Sequence, residues 1–217
     1  GEDVLVTEYV AGVFLGEVLG AIDRGDEVAL REIKAKGIDP IILAQRMTRA
    51  FSWQALEGLL FHADPHPGNV VVQSNNNLVF IDFGSCGRFP SKMKRLWMQL
   101  QEAAEREDVG AMVENAVGFL EPLPPMDVDA FRKQLEALFW DWLCAKKSKH
   151  SEWWERCTGH LWLKTIDIVQ HYNVPMTIDT LRLFRAAFLY DSIAMRLWNG
   201  LDISKEYVAY SKEHGMR

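Results

Sequence analysis

Three oxygen-bearing side chains fall around two short apolar runs. Asp64 and Asn69 belong to H-A-D-P-H-P-G-N (His62–Asn69), and Asp82 opens D-F-G (Asp82–Gly84). Between them lie Val70-Val71-Val72-Gln73, then Ser74-Asn75-Asn76-Asn77, then Leu78-Val79-Phe80-Ile81. Two apolar runs around an Asn cluster predict a β-hairpin, because Asn tolerates the positive φ that tight reversals need. With the turn centred on Asn75 and Asn76, Val70 faces Ile81 and Asn69 faces Asp82. Directly opposed residues have Cα atoms roughly 4.5–5.5 Å apart. Asp64, on a Pro-constrained loop, can face the same space. Three hard oxygen donors at a strand end suit Mg²⁺, which prefers a few protein oxygens together with substrate phosphates.

His62, Asp64 and His66 also spell H-x-D-x-H, and imidazole ligands would suit zinc in a hydrolase. Pro65 and Pro67 spoil the strand that would bring all three to one face. The better expectation is structural, with His62 propping the loop and His66 near the phosphates. Cys86, just after D-F-G, raises a redox switch as one alternative; a small residue packed beneath the loop is the plainer expectation.

The elements around this stretch are mostly helical. Val4–Val10 reads as a strand, rich in β-branched residues and ended by Ala11-Gly12. Phe14–Ile22 and Asp26–Lys36 read as short helices, the second capped by Asp26. Asp39-Pro40 starts a long helix, whose apolar positions (Ile42, Leu43, Met47, Ala50, Phe51, Ala55, Leu59) recur at three and four. It delivers the chain to His62. Beyond Pro90 the periodicity predicts helices over Ser91–Arg106, Val109–Leu120, Val128–Cys144, Ser151–His171, Thr177–Leu197 and Ser204–His214. Lys146–His150 is a basic connection.

Composition narrows the classes. With 48% hydrophobic and 25% charged residues the chain is globular rather than disordered. A formal net charge of -6 argues against a nucleic-acid partner. Three widely spaced cysteines form no C-x-x-C, and no run approaches the ~18 apolar residues of a membrane-spanning helix. Trp140, Trp142, Trp153, Trp154 and Trp162 flank Lys146, Lys147 and Lys149. Such a mixture suits core packing between amphipathic helices, or, as the alternative, peripheral membrane contact.

D-x-x-x-x-N followed by a strand pair and D-F-G resembles the catalytic loop and metal-binding segment of the protein-kinase-like fold. The whole H-A-D-P-H-P-G-N string resembles the atypical kinases of the UbiB family, also called ADCK-type or coenzyme-Q kinases. Thr7-Glu8-Tyr9-Val10 resembles the last N-lobe strand entering the hinge, and Leu189-Tyr190-Asp191 with the helical tail fits the same family.

The resemblance implies a mainly α (α+β) fold. Residues 1–12 would hold the last N-lobe strand and hinge, and residues 13–217 a kinase-like C-lobe with a short catalytic β-hairpin and a helical C-terminal extension. It implies Asp64 as the catalytic-loop carboxylate, Asn69 and Asp82 as Mg²⁺ ligands, and His66 near the phosphates. The backbone of Glu8, Tyr9 and Val10 would bond the adenine of ATP. It further implies a lipid or isoprenoid-quinone intermediate as partner, in a mitochondrial, plastid or bacterial membrane-associated setting.

Departures from the kinase pattern qualify those roles. Ala63 replaces the usual catalytic-loop Arg, His66 replaces the Lys two residues after the catalytic Asp, and no A-P-E follows D-F-G. No nucleotide loop, strand Lys or K-x-G-Q is present. A chain that opens on a strand-like run is expected to be a fragment, inactive alone. Two readings remain open: an Mg·ATP-dependent kinase or ATPase, or a silent pseudokinase lobe that binds a nucleotide, lipid or partner.

Overall fold

The structure, a computed structural model, describes residue 4 and residues 6–215. Helices dominate, and the strands are short. In chain order the elements are β1 (Val13–Phe14), α1 (Leu15–Asp23), α2 (Glu27–Ala35), α3 (Pro40–Leu56), β2 (Phe61–His62), β3 (Val70–Val72), β4 (Leu78–Phe80) and β5 (Cys86–Gly87). There follow α4 (Ser91–Glu105), α5 (Val109–Leu120), α6 (Val128–Lys147), α7 (Trp153–Arg156), α8 (Thr158–His171), α9 (Ile178–Leu197) and α10 (Ile203–Glu213). This is the mainly α, kinase-like C-lobe architecture.

Helix starts follow local chemistry. Asp26, Asp39 and Thr177 each accept a hydrogen bond from a first-turn N–H, at 3.0 Å from Ala29, 2.9 Å from Ile41 and 3.1 Å from Thr180. Pro40 occupies the first helical position, where its missing N–H costs nothing. The end of α3 is closed from outside. Lys94 Nζ donates to the carbonyls of Leu56 and Gly58, both at 3.0 Å.

Helices α3 and α9 form the spine of the core. Phe51 stacks on Tyr190 with ring centroids 4.8 Å apart, and Trp162 stacks on Phe184 at 4.5 Å. Trp97 bridges the two groups, edge-on to Phe51 and stacked on Trp162. Ile42 and Leu59 do not join this core; both are exposed, Leu59 lying beyond the helix end at Leu56.

Four expectations change. No strand forms over Val4–Val10: Leu5 lies outside the described residues, and Val4 and residues 6–10 have no ladder partner among those described. An isolated strand leaves its backbone groups unpaired, so pairing begins only where β3 is in reach. That point is Val13–Phe14, which forms β1 rather than the start of a helix (Val13↔Val72, Phe14↔Val71). The helix expected over Ser151–His171 is broken at Cys157, whose backbone is extended (φ -71°, ψ 133°) and whose sulfur caps α8 by accepting from Gly159 N–H. Finally, α6 runs on to Lys147, because lysines in a last helical turn complement the dipole rather than ending the helix.

Candidate functional site

The hairpin forms, in a different register. β3 pairs with β4 as Val70↔Phe80, Val71↔Val79 and Val72↔Leu78. A loop from Gln73 to Asn77, closed by Gln73 N–H donating to Asn77 C=O at 2.9 Å, carries two left-handed residues, Asn75 (φ 61°) and Asn76 (φ 62°). The reversal is therefore centred on Asn75 alone. Its consequence is a shift of one residue at the open end: Asn69 lies opposite Ile81, whose N–H donates to Asn69 C=O at 3.0 Å. Asp82 is one position further on, past the end of β4, where strand alternation no longer fixes its direction.

The turn is tied to α3. Asn76 is buried and its Oδ1 accepts the N–H of Asp39 at 2.6 Å, while Arg46 Nη1 donates to Asn75 C=O at 2.8 Å. At the other end, Gly12 lets the backbone approach β3; a Cβ there would come within 2.5 Å of Val71 Cγ1.

The loop carrying Asp64 is held from below by a buried relay. Gln54 Nε2 donates to Tyr190 Oη at 2.9 Å, and Gln54 Oε1 accepts His62 N–H at 2.6 Å. His62 Nδ1 in turn accepts Asp64 N–H at 3.2 Å, so the imidazole props the loop as its position in the sequence predicts. His62 is pulled toward the neutral form chiefly by desolvation; the Asp82 backbone carbonyl and the Asp64 and Asp82 carboxylates oppose this. Its Nε2 is buried without a well-formed hydrogen bond.

From the side, β2 pairs with β5 (His62↔Cys86), and Ala63 N–H donates to Ser85 C=O at 2.9 Å. Cys86 Sγ donates to Phe83 C=O at 3.5 Å, the packing role expected beneath D-F-G. Within the loop, tight bonds run from His66 N–H to Asp64 C=O and from Asn69 N–H to His66 C=O, both at 2.7 Å.

Asp64 is half-buried and Asn69 is too, while His66, Asp82 and Phe83 are exposed. Asp82 Oδ1 accepts Gly84 N–H at 2.8 Å, which fixes the carboxylate and leaves Oδ2 uncommitted. The Asn69 side-chain amide has no hydrogen-bond partner among the described residues. Two uncommitted hard oxygens on one hairpin fit Mg²⁺, which takes few protein ligands and keeps water or phosphate for the rest. The zinc alternative finds no support: His62 is buried below the loop and His66 exposed on it, and among the described residues no group of three His, Cys, Asp or Glu is arranged to hold a metal. Glu8 and Tyr9 are exposed and Val10 half-buried, in the irregular segment that precedes β1 in the chain.

Two residues around the site have no signal in sequence. Arg185, on α9, places Nη2 2.8 Å from Asp64 Oδ2. An Arg at an ordinary position of an amphipathic helix is indistinguishable from a surface Arg until the helix is packed. Gln54 was equally silent.

Residues 1–116 match the family described as the ABC1 atypical kinase-like domain, a span that contains the loop, the hairpin and D-F-G. Over 133 residues, 61% of this chain, it is 26% identical to the Protein ACTIVITY OF BC1 COMPLEX KINASE 7, chloroplastic, of Arabidopsis thaliana, covering 17% of that protein. It is 24% identical over 210 residues, 93% of the chain, to a probable protein kinase UbiB of Vibrio vulnificus, covering 35% of that protein. An uncharacterized Synechocystis protein, sll1770, is 40% identical over 76 residues, 34% of this chain and 13% of that one. The chain thus spans a minor part of each of these relatives. With more than half of its length matched, and the matched part carrying the site, the chain belongs to the ABC1 atypical kinase-like family, the family of UbiB.

Proposed function

We propose that this lobe is the phosphate-handling side of an Mg·ATP-dependent phosphotransferase or ATPase. Asp64 accepts or orients the proton of the attacking group, and Asn69 and Asp82 hold the metal on the hairpin. The Glu8–Val10 backbone borders the adenine, and His66 lies beside the phosphates. Mg²⁺, when bound, neutralises the charge developing on phosphate oxygens. The observation that carries this reading is that the chain segments bearing the three residues are each tethered, Asp64 and Asn69 through the backbone and Asp82 through its carboxylate. Asp64 is fixed from below by His62, Asn69 sits at the foot of β3, and Asp82 is pinned by Gly84 on the continuation of β4.

The acceptor is proposed to be a largely apolar molecule of lipid or isoprenoid-quinone type. A cavity of about 470 Å³ beside His66, walled by Trp153, Trp154, Leu163 and Phe188, supports this. Trp140 and Trp154, about half exposed, with Lys147 and Lys149 nearby, support delivery from a membrane surface. No described helix is long and apolar enough to cross one.

The test is Asp82→Asn in the full-length protein. Loss of Mg²⁺-dependent ATP binding and turnover is expected, and unchanged binding and turnover would overturn the assignment. A second reading, nucleotide binding without transfer, is favoured by the Arg185–Asp64 ion pair and by the short Ser85–Pro90 connection, which leaves no peptide platform. Thermal stabilisation by Mg·ADP without any ATP hydrolysis would select it.

A further inference from the structure

Well away from Asp64, helices α6, α8 and α10 close around a second cavity of about 280 Å³. Arg185 and Met195 are both on α9, ten residues or about 15 Å apart along its axis; Met195 lines this cavity, so it is separate from the loop site. Its walls are unlike those of the apolar cavity beside His66. Three cations line it, Lys146 from the last turn of α6, Arg156 from the end of α7 and Lys205 from the first turn of α10.

One carboxylate, Asp202, faces them. Its Oδ1 accepts from Lys146 Nζ at 3.1 Å and from Lys205 N–H at 3.2 Å, and its Oδ2 lies 3.8 Å from Lys205 Nζ. Three positive charges against one negative leave a net charge of two. Lys146 is further held over the Trp142 ring at 4.9 Å. Arg156 has no carboxylate partner among the described residues, and its Nε is buried with no hydrogen bond.

The polar groups between these charges are also unpaired. Thr158 is the first residue of α8 and Ser204 the second of α10; they are 6% and 1% exposed, both line the cavity, and neither hydroxyl has a partner. Orphaned buried hydroxyls forfeit the hydrogen bonds they made to water, so a native protein normally gives them something to bond. The first residues of α8 and α10 line the same space, and each helix N-terminus carries a partial positive charge, although Gly159 N–H is already capped by Cys157 Sγ and Lys205 N–H by Asp202 Oδ1.

We infer that this cavity is a binding site for a phosphate monoester. A dianion matches the surplus charge, and its acceptor oxygens match an Arg, two Lys and two hydroxyls that donate. The group could arrive as free phosphate or a small soluble ester, or as the exposed headgroup of an anionic lipid. The chemistry at the wall is the same.

Calorimetric titration of the full-length protein with inorganic phosphate, without Mg²⁺ or nucleotide, reads the first source. Co-sedimentation with phosphatidylcholine vesicles, with and without phosphatidic acid, reads the second. Expected is saturable binding of phosphate, or selective retention by the phosphatidic acid vesicles, weakened about tenfold or more in Arg156→Gln and Lys205→Gln. Lys205 is largely exposed, so its variant folds even if Arg156→Gln does not. Ser204→Ala keeps every charge and removes one orphaned hydroxyl; it is expected to weaken binding without lowering the melting temperature. Failure of both probes to bind, equal binding by wild type and all three variants, or retention by phosphatidylcholine alone would each overturn the site.

Discussion

Arg185 Nη2 rests 2.8 Å from Asp64 Oδ2, so the carboxylate proposed to receive a proton already shares an ion pair with the C-terminal helices. The pair is not a stability device. The two side chains are 57% and 31% exposed, and ion pairs so wetted are worth at most about 1 kcal/mol. What it can set is the direction of a carboxylate on a loop otherwise held only through the backbone.

Arg185→Met in the full-length protein should therefore leave the melting temperature nearly unchanged and lower kcat/KM for ATP. A misaligned general base costs on the order of 10–100-fold. Arg185→Lys keeps the charge and loses the planar fork, so it should fall between. A rise in turnover in Arg185→Met would instead mark the pair as a brake on Asp64.

The relay beneath the loop makes the opposite prediction. Gln54 is buried and bonds both Tyr190 Oη and His62 N–H. Gln54→Leu orphans both partners, each at about 1–3 kcal/mol. Urea unfolding should show a loss of about 2–6 kcal/mol. Adding Tyr190→Phe should cost less in that background than alone, because the phenol has already lost its partner. Strict additivity of the two changes would argue against the relay.

What was legible in the sequence divides along the same line. Asp26, Asp39 and Thr177 act within three residues of their own position, so their caps were readable from local chemistry. Likewise His62 and Asp64 are two residues apart, and the prop followed from the string itself. The hairpin existed in the pattern, yet its register did not. Two Asn residues in the left-handed region centre the reversal on Asn75, and a shift of one residue is invisible in a run of three asparagines. Arg185 and Gln54 reach the site only through the packing of α9 on α3. No spacing rule connects residues 54 and 190.

Gly87 offers a steric test of the loop's lateral anchor. A Cβ at this position would come within 2.3 Å of Phe61 Cζ, in the short β2–β5 pair that holds His62. Phe61 is fully buried against Phe89, at 5.3 Å between centroids, and cannot swing away. Gly87→Ala should cost about 1–3 kcal/mol by overpacking. Phe61→Leu in the same chain should return part of that loss, since the ring edge that clashes is gone.

Asp191 gives a pH dependence with a definite sign. It is 4% exposed, and desolvation pushes its carboxyl well above the ordinary value of 3.8. Above the unfolded pKa the unfolded chain gives up this proton while the folded chain retains it. The folded state then binds more protons, so the contribution of Asp191 to stability falls as pH rises, until the folded pKa is passed. The slope is at most about 1.4 kcal/mol per pH unit. Asp191→Asn keeps the shape and removes the titration. Urea unfolding of both proteins at intervals from about pH 4 to pH 7 should show the variant gaining on the wild type as pH rises. Parallel curves would mean that Asp191 is ionised in the fold, with a cationic partner that offsets its burial.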